Sequence, residues 1–240
     1  MGGIVDFHTH ILPQIDDGSS SLAESLKMLK MEARQGIGHV IATPHFYARY
    51  DDPKQFLINR KKAELRLRKV MERYDGLPEV TVGAEVHFFS GMSHSSLLPY
   101  LTIGKKRCIL IEMPDSPWTD TMYRELENIS VRLGLVPIVA HVDRYIAPFR
   151  TYHIPERLEE LPVLVQSNAS FFLRNSTRSM ALRMLRKNQI QLLGSDCHNL
   201  TTRQPNLADA VEVIRHRLGA EPLDRIRHYQ DEVLMDESPT

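Results

Sequence analysis

The sequence lacks the features that mark secreted, membrane-spanning and disulfide-stabilised proteins. It has two cysteines, Cys108 and Cys197, which are too few for a disulfide framework and suit a reducing compartment. No apolar run approaches the length of a membrane span. No basic residue precedes Asp6, as one would in a signal peptide. These absences predict a cytoplasmic protein without membrane insertion.

The chain also has no excess of charge of either sign. Lysine plus arginine and aspartate plus glutamate number 30 each. A chain without a global field does not attract nucleic acid or an acidic membrane surface, so nucleic acid is not an expected partner. Any anion that the protein binds must be held by local groups.

The composition favours one large domain. The 240 residues contain no internal repeat, no low-complexity linker and no break in composition, and 42% of them are hydrophobic, which is enough for a sizeable core. We predict a single domain over residues 1–230 and a frayed acidic tail over residues 231–240.

Short apolar runs alternate with longer amphipathic stretches along the chain. This alternation is typical of βα units around a parallel sheet or barrel, so the predicted fold class is α/β. The seven candidate strands cover residues 4–7, 39–42, 80–82, 108–111, 137–140, 163–166 and 190–193. The candidate helices cover residues 21–36, 54–74, 119–133, 177–187 and 206–218. The first has capping-box spacing at Ser21 and Glu24, and the basic face of the second is interpreted as solvated.

Residues that can bind metal ions follow these apolar runs with unusual regularity. The nine candidates are His8, His10, Asp17, His45, Glu85, Glu112, His141, Asp196 and His198. Six of the seven candidate strands end in, or lead to, at least one of them, and the carboxyl ends of strands converge in a βα barrel. Imidazoles and carboxylates suit Mn, Fe or Zn, and so large a set predicts more than one ion.

Each motif taken alone has an ordinary alternative. The His-x-His pair could be coincidence, although alternation along a strand turns both rings to one side. The Asp16-Asp17-Gly18 sequence could be a turn before a helix. Glu85 and Glu112 could form salt bridges, although a buried carboxylate without a cation is costly. The remaining histidines are interpreted as surface or core residues: His39, His87, His94, His153, His216 and His228. His87 is the least secure of these exclusions, because it lies two residues after Glu85.

Six motifs resemble the PHP (polymerase and histidinol phosphatase) superfamily. They are DFHTHILPQIDDG, TPHF, GAEV, IEMP, AHVDRY and GSDCHNL, in this order across nearly the whole chain. Within the superfamily they look most like the bacterial manganese-dependent protein tyrosine phosphatases encoded with capsular and exopolysaccharide genes. The opening motif HILPxIDDG is the most specific element. The resemblance implies a distorted (β/α)7 TIM-like barrel with a trinuclear metal site at the carboxyl ends of its strands.

The resemblance also implies a ligand set and a cofactor. One ion would be bound by His8, His10, Glu85 and Asp196; Glu85 would bridge to a second ion at Glu112 and His141; Asp17, His45 and His198 would bind a third. Mn²⁺ is the implied metal, with Fe, Zn or Mg as alternatives. Three positions depart from the commonest family form: Gln14, Asp143, and His87, where an aromatic residue or leucine is usual. None of them removes a ligand, so they bear on substrate preference.

The implied reaction is hydrolysis of phosphotyrosine, typically on the tail of a bacterial tyrosine kinase that controls polysaccharide synthesis. Adjacent divalent ions would supply a hydroxide for in-line attack. Arg144 and Arg203 are the predicted phosphate-binding and catalytic arginines, with rim salt bridges as the alternative. His198 is a candidate acid for the leaving group. Tyr47 and Arg49, with Tyr50, form a substrate wall or are ordinary loop residues.

Other functions compete with this one. A small-molecule phosphatase such as a histidinol phosphatase would share the metal site. An exonuclease of the same superfamily is disfavoured by the zero net charge, and a scaffold that only binds a kinase is disfavoured because all nine ligand positions are filled. Cys197 to Arg203 match the Cys-x5-Arg pattern of thiolate phosphatases, but the segment has no glycine to let its amides converge on phosphate. An oligomer is possible.

Overall fold

The computed structural model describes residues 3–104, 107–146 and 153–234. Within these ranges the strands are β1 (Asp6–Thr9), β2 (His39–Ala42), β3 (His45–Phe46), β4 (Glu79–Val82), β5 (Glu85–His87), β6 (Cys108–Glu112), β7 (Val136–Val139), β8 (Leu164–Asn168) and β9 (Leu192–Gly194). The helices are α1 (Leu22–Arg34), α2 (Pro53–Met71), α3 (Asp120–Leu133), α4 (Asp143–Ile146), α5 (Ile154–Glu159), α6 (Ala169–Leu173), α7 (Arg178–Arg186), α8 (Leu207–Leu218) and α9 (Glu221–Leu234).

The nine strands within the described ranges pair in parallel and occupy seven places across the sheet, because β2 and β3 share one place and β4 and β5 share another. One sheet has the order β1-β2-β4 and the other has the order β3-β5-β6-β7-β8-β9. β3 and β5 continue β2 and β4 after gaps of two residues, so the two sheets form one curled surface. Gly83 N donates to Ala42 O at 2.9 Å and Glu85 N donates to Pro44 O at 3.0 Å, which carries the pairing across these gaps. The predicted α/β class and its curled parallel sheet are confirmed.

The first strand meets the segment after the last strand, where the sheet curls round on itself. Asp196 N donates to His8 O at 2.8 Å, and His10 N donates to Cys197 O at 2.9 Å. Gly194 allows this close approach, because a Cβ atom on it would lie 2.6 Å from Cβ of His8. Two predicted ligand motifs from opposite ends of the sequence are therefore held side by side.

The five predicted helices correspond to α1, α2, α3, α7 and α8, with small shifts at their ends. Ser21 Oγ accepts from Glu24 N at 3.2 Å and so caps α1. The predicted capping box is only half formed, because the Glu24 carboxylate accepts from Ser20 N at 2.9 Å and not from Ser21 N. No helix among the described residues is both long enough and apolar enough to cross a membrane.

The last helix, α9, was not among the predicted elements. Its residue Gln230 bonds both the backbone N and the backbone O of Val5, at 3.3 and 3.1 Å, beside the start of β1. Val233 is buried in an apolar cluster with Val5, Phe7 and residues of the neighbouring strands. Because these contacts anchor it, the chain is helical as far as Leu234, and the tail expected from residue 231 is wrong for residues 231–234. Residues 235–240 lie outside the described ranges.

Candidate metal centre

The nine predicted ligands form one continuous cluster at the carboxyl ends of the strands. Polar contacts of 2.8 to 3.9 Å connect all of them. The strand register explains the convergence: β3 and β5 place His45 beside Glu85, and β5 and β6 place His87 beside Glu112. The strand ends thus bring together side chains that are far apart in sequence.

Glu85 lies at the centre of the cluster and is buried. Its Oε2 atom lies 3.0 Å from His45 Nδ1, 3.1 Å from His8 Nε2 and 3.3 Å from His10 Nε2. Its Oε1 atom lies 2.8 Å from His141 Nε2. One carboxylate surrounded by four imidazoles has the donor chemistry of a transition-metal site.

Unpartnered polar atoms within the cluster support this interpretation. Glu85 Oε2 and His45 Nδ1 are buried and have no hydrogen-bond partner among the described residues, although they lie 3.0 Å apart. His8 Nε2 and His10 Nε2 face each other at 3.1 Å. Buried polar atoms are normally satisfied, so lone pairs that converge in this way fit metal ions. The residues present therefore fit the metal that the resemblance implies.

The described atoms fall into three sets, in each of which the possible ligand atoms lie within 4.8 Å of one another. These sets are His10, Asp17, His45 and His198; His8, His10 and Glu85; and His45, Glu85 and Glu112. Asp196 lies beside the second set, since its Oδ1 is 3.6 Å from His8 Nε2 and 3.5 Å from His10 Nε2. Asp17 is the most exposed of the nine, with 66% of its side chain accessible.

The charges within the cluster stabilise one another. Burial alone would raise the pKa of Glu85, but the imidazoles of His8, His10, His141 and His45 hold that pKa well below its usual value. Burial would likewise lower the pKa of His10, but the hydrogen bond to Asp16 and the negative charge of Glu85 raise it to about 10. Glu85 is therefore ionised at neutral pH, as a ligand must be.

His198 differs in its charge from His10, His45 and His141, whose pKa values are raised. Burial and the neighbouring positive charge of His10 lower the pKa of His198 to about 4. The ring is therefore neutral at pH 7 and offers a lone pair. This favours the predicted ligand role of His198 over its alternative role as an acid for the leaving group.

Asp16 orients one of the ligands and was not among the predicted site residues. Its Oδ2 atom lies 2.8 Å from His10 Nδ1 and accepts from His45 N at 3.0 Å. Gly18 is required by this loop, because a Cβ atom on it would lie 2.3 Å from His10 O. These contacts explain the DDG sequence: one aspartate reaches the cluster and the other fixes a ring behind it.

Two residues of β8 also join the site and were missed by the sequence interpretation. Gln166 Oε1 lies 3.3 Å from His8 Nδ1 and accepts from His141 N at 2.6 Å. Asn168 Nδ2 donates to Asp196 Oδ2 at 2.9 Å. The two residues lie two positions apart at the end of β8, which is the same alternation that His8 and His10 show at the end of β1. Because amides are weak metal ligands, this spacing alone did not predict a place in the site.

The ligand loops contain uncommon backbone conformations. His141 has a φ of 32° and Asp196 has a φ of 55°, both in the left-handed region that non-glycine residues rarely occupy. Such strain is found where the surrounding structure fixes a side chain for function. It is consistent with metal ligands at both positions.

The two predicted arginines lie at the site and share one partner. Arg144 Nη2 donates to Asp196 Oδ2, and Arg203 Nη2 donates to Asp196 Oδ1 at 2.6 Å. Arg144 Nη1 also lies 3.6 Å from Glu112 Oε1. Both guanidinium groups are more than one-third exposed, so they combine a salt bridge with access to a bound anion.

The predicted substrate wall is only partly assembled around the cluster. The Tyr47 ring lies 5.3 Å from the ring of His45 and 5.4 Å from that of His87. Arg49 instead stacks on Tyr50, which is 78% exposed, and no contact among the described residues joins this pair to the nine ligands. Tyr47 is thus part of the rim of the site, while Arg49 and Tyr50 lie outside the cluster.

The segment after Cys197 does not have the geometry of a thiolate phosphatase loop. The backbone N atoms of Thr201, Thr202 and Arg203 donate to Asn199 Oδ1 at 2.9 to 3.1 Å, so they do not converge on a phosphate position. Burial and nearby carboxylates raise the pKa of Cys197 well above its usual value. Cys197 is therefore a buried thiol and not an activated nucleophile.

Comparison with known proteins shows the family of this chain. Residues 4–236 match the model of the family described as capsular polysaccharide synthesis, CpsB/CapC. The tyrosine-protein phosphatase CpsB of Streptococcus agalactiae is 26% identical over 234 residues, which cover 93% of this chain and 94% of that protein. The tyrosine-protein phosphatase YwqE of Bacillus subtilis is 28% identical over 226 residues, which cover 91% and 86% of the two chains.

The fold agrees with a solved structure of the same family. A chain from the crystal structures of YwqE from Bacillus subtilis and CpsB from Streptococcus pneumoniae, described as metal-dependent tyrosine phosphatases, superposes with a TM-score of 0.84. It is 24% identical and covers 99% of this chain and 96% of its own length. Both the fold and the family predicted from the motifs are confirmed, and the chain belongs to the CpsB/CapC family of capsular polysaccharide synthesis.

Proposed function

We propose that this protein is a metal-dependent phosphatase that hydrolyses phosphotyrosine in a protein substrate. The observation that carries the proposal is the burial of Glu85 among four imidazoles at the carboxyl end of the curled sheet. The related CpsB and YwqE proteins are named tyrosine-protein phosphatases, which supports the same activity here.

The proposed cofactor is Mn²⁺, as two or three ions held by the nine clustered residues. When bound, such ions supply Lewis acidity, which neutralises a phosphate monoester and makes water a stronger nucleophile. The mixed imidazole and carboxylate donors suit Mn²⁺, and they also suit iron and zinc. Asp16, Gln166 and Asn168 hold ligand side chains in place from behind.

We assign phosphate binding to Arg144 and Arg203. A guanidinium has five N–H donors, so each arginine can bond Asp196 and still present donors to a phosphoryl oxygen. Holding the ester in line with the attacking water accounts for much of the rate enhancement in such reactions. The rim ring of Tyr47 is placed to contact the aromatic part of the substrate.

The leaving group requires little assistance from the protein. A tyrosyl phenolate has a pKa of about 10, far below that of a serine alkoxide. Hydrolysis of phosphotyrosine therefore needs less protonation of the leaving group than hydrolysis of phosphoserine. The proposed substrate protein is the tail of a bacterial tyrosine kinase of capsule synthesis, and the cytoplasmic location expected from the sequence stays a prediction.

The experiment that tests the proposal compares three phosphate esters. The Mn²⁺-loaded protein is given a phosphotyrosine peptide, the matched phosphoserine peptide and histidinol phosphate, and kcat/KM is measured for each. We expect the phosphotyrosine peptide to exceed both others by about 100-fold or more, a discrimination of roughly 3 kcal/mol. Preference for histidinol phosphate would instead assign the protein to the small-molecule phosphatases.

A further inference from the structure

His87 lies beside the metal cluster although it is not one of the nine ligands. It ends β5 two residues after Glu85, so its side chain lies on the same face of the strand. The parallel register of β5 and β6 pairs His87 with Glu112. The backbone itself therefore delivers an imidazole to a proposed ligand carboxylate.

The two oxygens of Glu112 have different partners. Oε1 lies 3.5 Å from His141 Nε2 and 3.6 Å from Arg144 Nη1. Oε2 lies 3.2 Å from His87 Nδ1 and 3.9 Å from His45 Nδ1. Of these two partners of Oε2 among the described residues, His87 is the nearer, and His87 alone lies at hydrogen-bond distance.

The ring of His87 is also held in place from its other side. Its centroid lies 5.4 Å from that of Tyr47, whose ring in turn lies 5.3 Å from that of His45. The side chain of His87 is 39% exposed, so part of its ring is covered by neighbouring groups such as Tyr47. An unrestrained surface histidine would have neither the neighbouring aromatic ring nor the carboxylate.

We propose that His87 is a positioning residue for the metal centre. This proposal rests on the proposed metal-dependent function. In the tautomer with hydrogen on Nδ1, it donates to Glu112 Oε2 and fixes the orientation in which Glu112 binds its ion. Hydrogen bonds to ligating carboxylates raise metal affinity in this way, and their loss weakens binding by about 10- to 100-fold. The contact with the Tyr47 ring limits the movement of the His87 ring.

Three substitutions of His87 separate the hydrogen bond from the packing. His87→Asn keeps an N–H donor close to the position of Nδ1, His87→Phe keeps a ring against Tyr47 without a donor, and His87→Leu removes both. Binding of Mn²⁺ alone is measured by titration calorimetry on the chelator-treated full chain. The matched control is His94→Leu, since His94 is exposed and contacts Ser93 and none of the nine ligands.

We expect one Mn²⁺-binding step to weaken by about tenfold or more in His87→Leu and in His87→Phe, and His87→Asn to restore most of the loss. His94→Leu should bind as the unsubstituted protein does. Unchanged binding in His87→Leu would overturn the inference, and so would an Asn variant as weak as the Leu variant. The titration contains no substrate, so it tests this inference separately from the proposed function. If Mn²⁺ binding changes as expected in the variants but the protein does not hydrolyse the phosphotyrosine peptide, the proposed function is overturned and this inference stands.

Discussion

At the scale of single residues, the centre depends on how each imidazole is oriented. Asp16 bonds His10 Nδ1 and the backbone N of His45, so one carboxylate fixes two proposed ligands. Bonds to His10, together with the charge of that ring, outweigh burial and lower the pKa of Asp16 to about 2. Asp16 is therefore ionised throughout the useful pH range, and its bond to His10 Nδ1 turns His10 Nε2 towards the cluster.

Replacing Asp16 with asparagine should weaken the centre without removing a ligand. The amide keeps the size of the side chain but loses the charge that holds the hydrogen of His10 on Nδ1. We expect Asp16→Asn to weaken Mn²⁺ binding and to lower kcat/KM by about tenfold or more. Calorimetry and steady-state kinetics with a phosphotyrosine peptide measure the two effects.

Asp51 provides the matched control for this substitution. Its Oδ2 atom accepts from Tyr47 N at 2.6 Å, so it too supports the rim, but it bonds none of the nine ligands in the part of the chain that the structure describes. Asp51→Asn should leave Mn²⁺ binding unchanged. Equal losses in the two variants would show that rim packing, and not orientation of His10, sets the affinity.

The nine clustered residues could be predicted from sequence because each follows an apolar run and has the chemistry of a ligand. The roles of Asp16, Gln166 and Asn168 could not, since they depend on contacts between distant segments. The Gln166 contact with His8, for example, joins β8 to β1. The proximity of His87 and Glu112 likewise depends on the register of β5 and β6.

At the scale of elements, the sequence predicted long segments better than short ones. β3 and β5 have two and three residues and were missed, because so few residues show no alternation. They matter for the site, since they begin with His45 and Glu85. The short helices α4, α5 and α6 were also missed, and so was α9, although most of its buried side chains recur at the spacing of three or four residues that is typical of a helix.

Helix α1 packs an acidic residue against β1. Glu32 is fully buried and neither of its carboxyl oxygens has a hydrogen-bond partner among the described residues. Burial, together with the charge of Asp6, raises the pKa of Glu32 to about 10. The folded chain therefore keeps a proton on Glu32 at neutral pH, where the unfolded chain has released it.

This difference gives the stability a defined pH dependence. A carboxyl whose pKa is raised on folding contributes full stability below its unfolded pKa, and this contribution is lost as the pH rises towards the folded value. In the Glu32→Gln variant this side chain is neutral at every pH. As the pH rises, the free energy of unfolding of the variant should therefore increase relative to that of the unsubstituted protein, by at most about 1.4 kcal/mol per pH unit. Urea unfolding between about pH 6 and pH 9 measures the difference.

Glu24→Gln is the control on the same helix. Glu24 is partly exposed, and its bonds to Ser20 lower its pKa, so it is ionised in both states above about pH 6. Its replacement should shift the free energy of unfolding by a constant amount over this range. Parallel pH profiles for Glu32→Gln and the unsubstituted protein would contradict a protonated Glu32.

At the scale of the whole molecule, the curled sheet turns a dispersed sequence pattern into one site. Ligand candidates from residue 8 to residue 198 meet because the segment after β9 bonds to the end of β1. The balanced charge of the chain is consistent with this arrangement, since the groups proposed to bind the anion, Arg144 and Arg203, lie together at one end of the sheet. The same closure buries Cys197 in the core behind the cluster.

Dependence of hydrolysis on metal tests this account most directly. Phosphate release from a phosphotyrosine peptide is measured before chelation, after full removal of metal and after return of Mn²⁺, with Cys197→Ala treated in parallel. The account predicts that release disappears on chelation, returns with Mn²⁺ and is nearly the same in Cys197→Ala. Release that survives full removal of metal and is abolished in Cys197→Ala would contradict it.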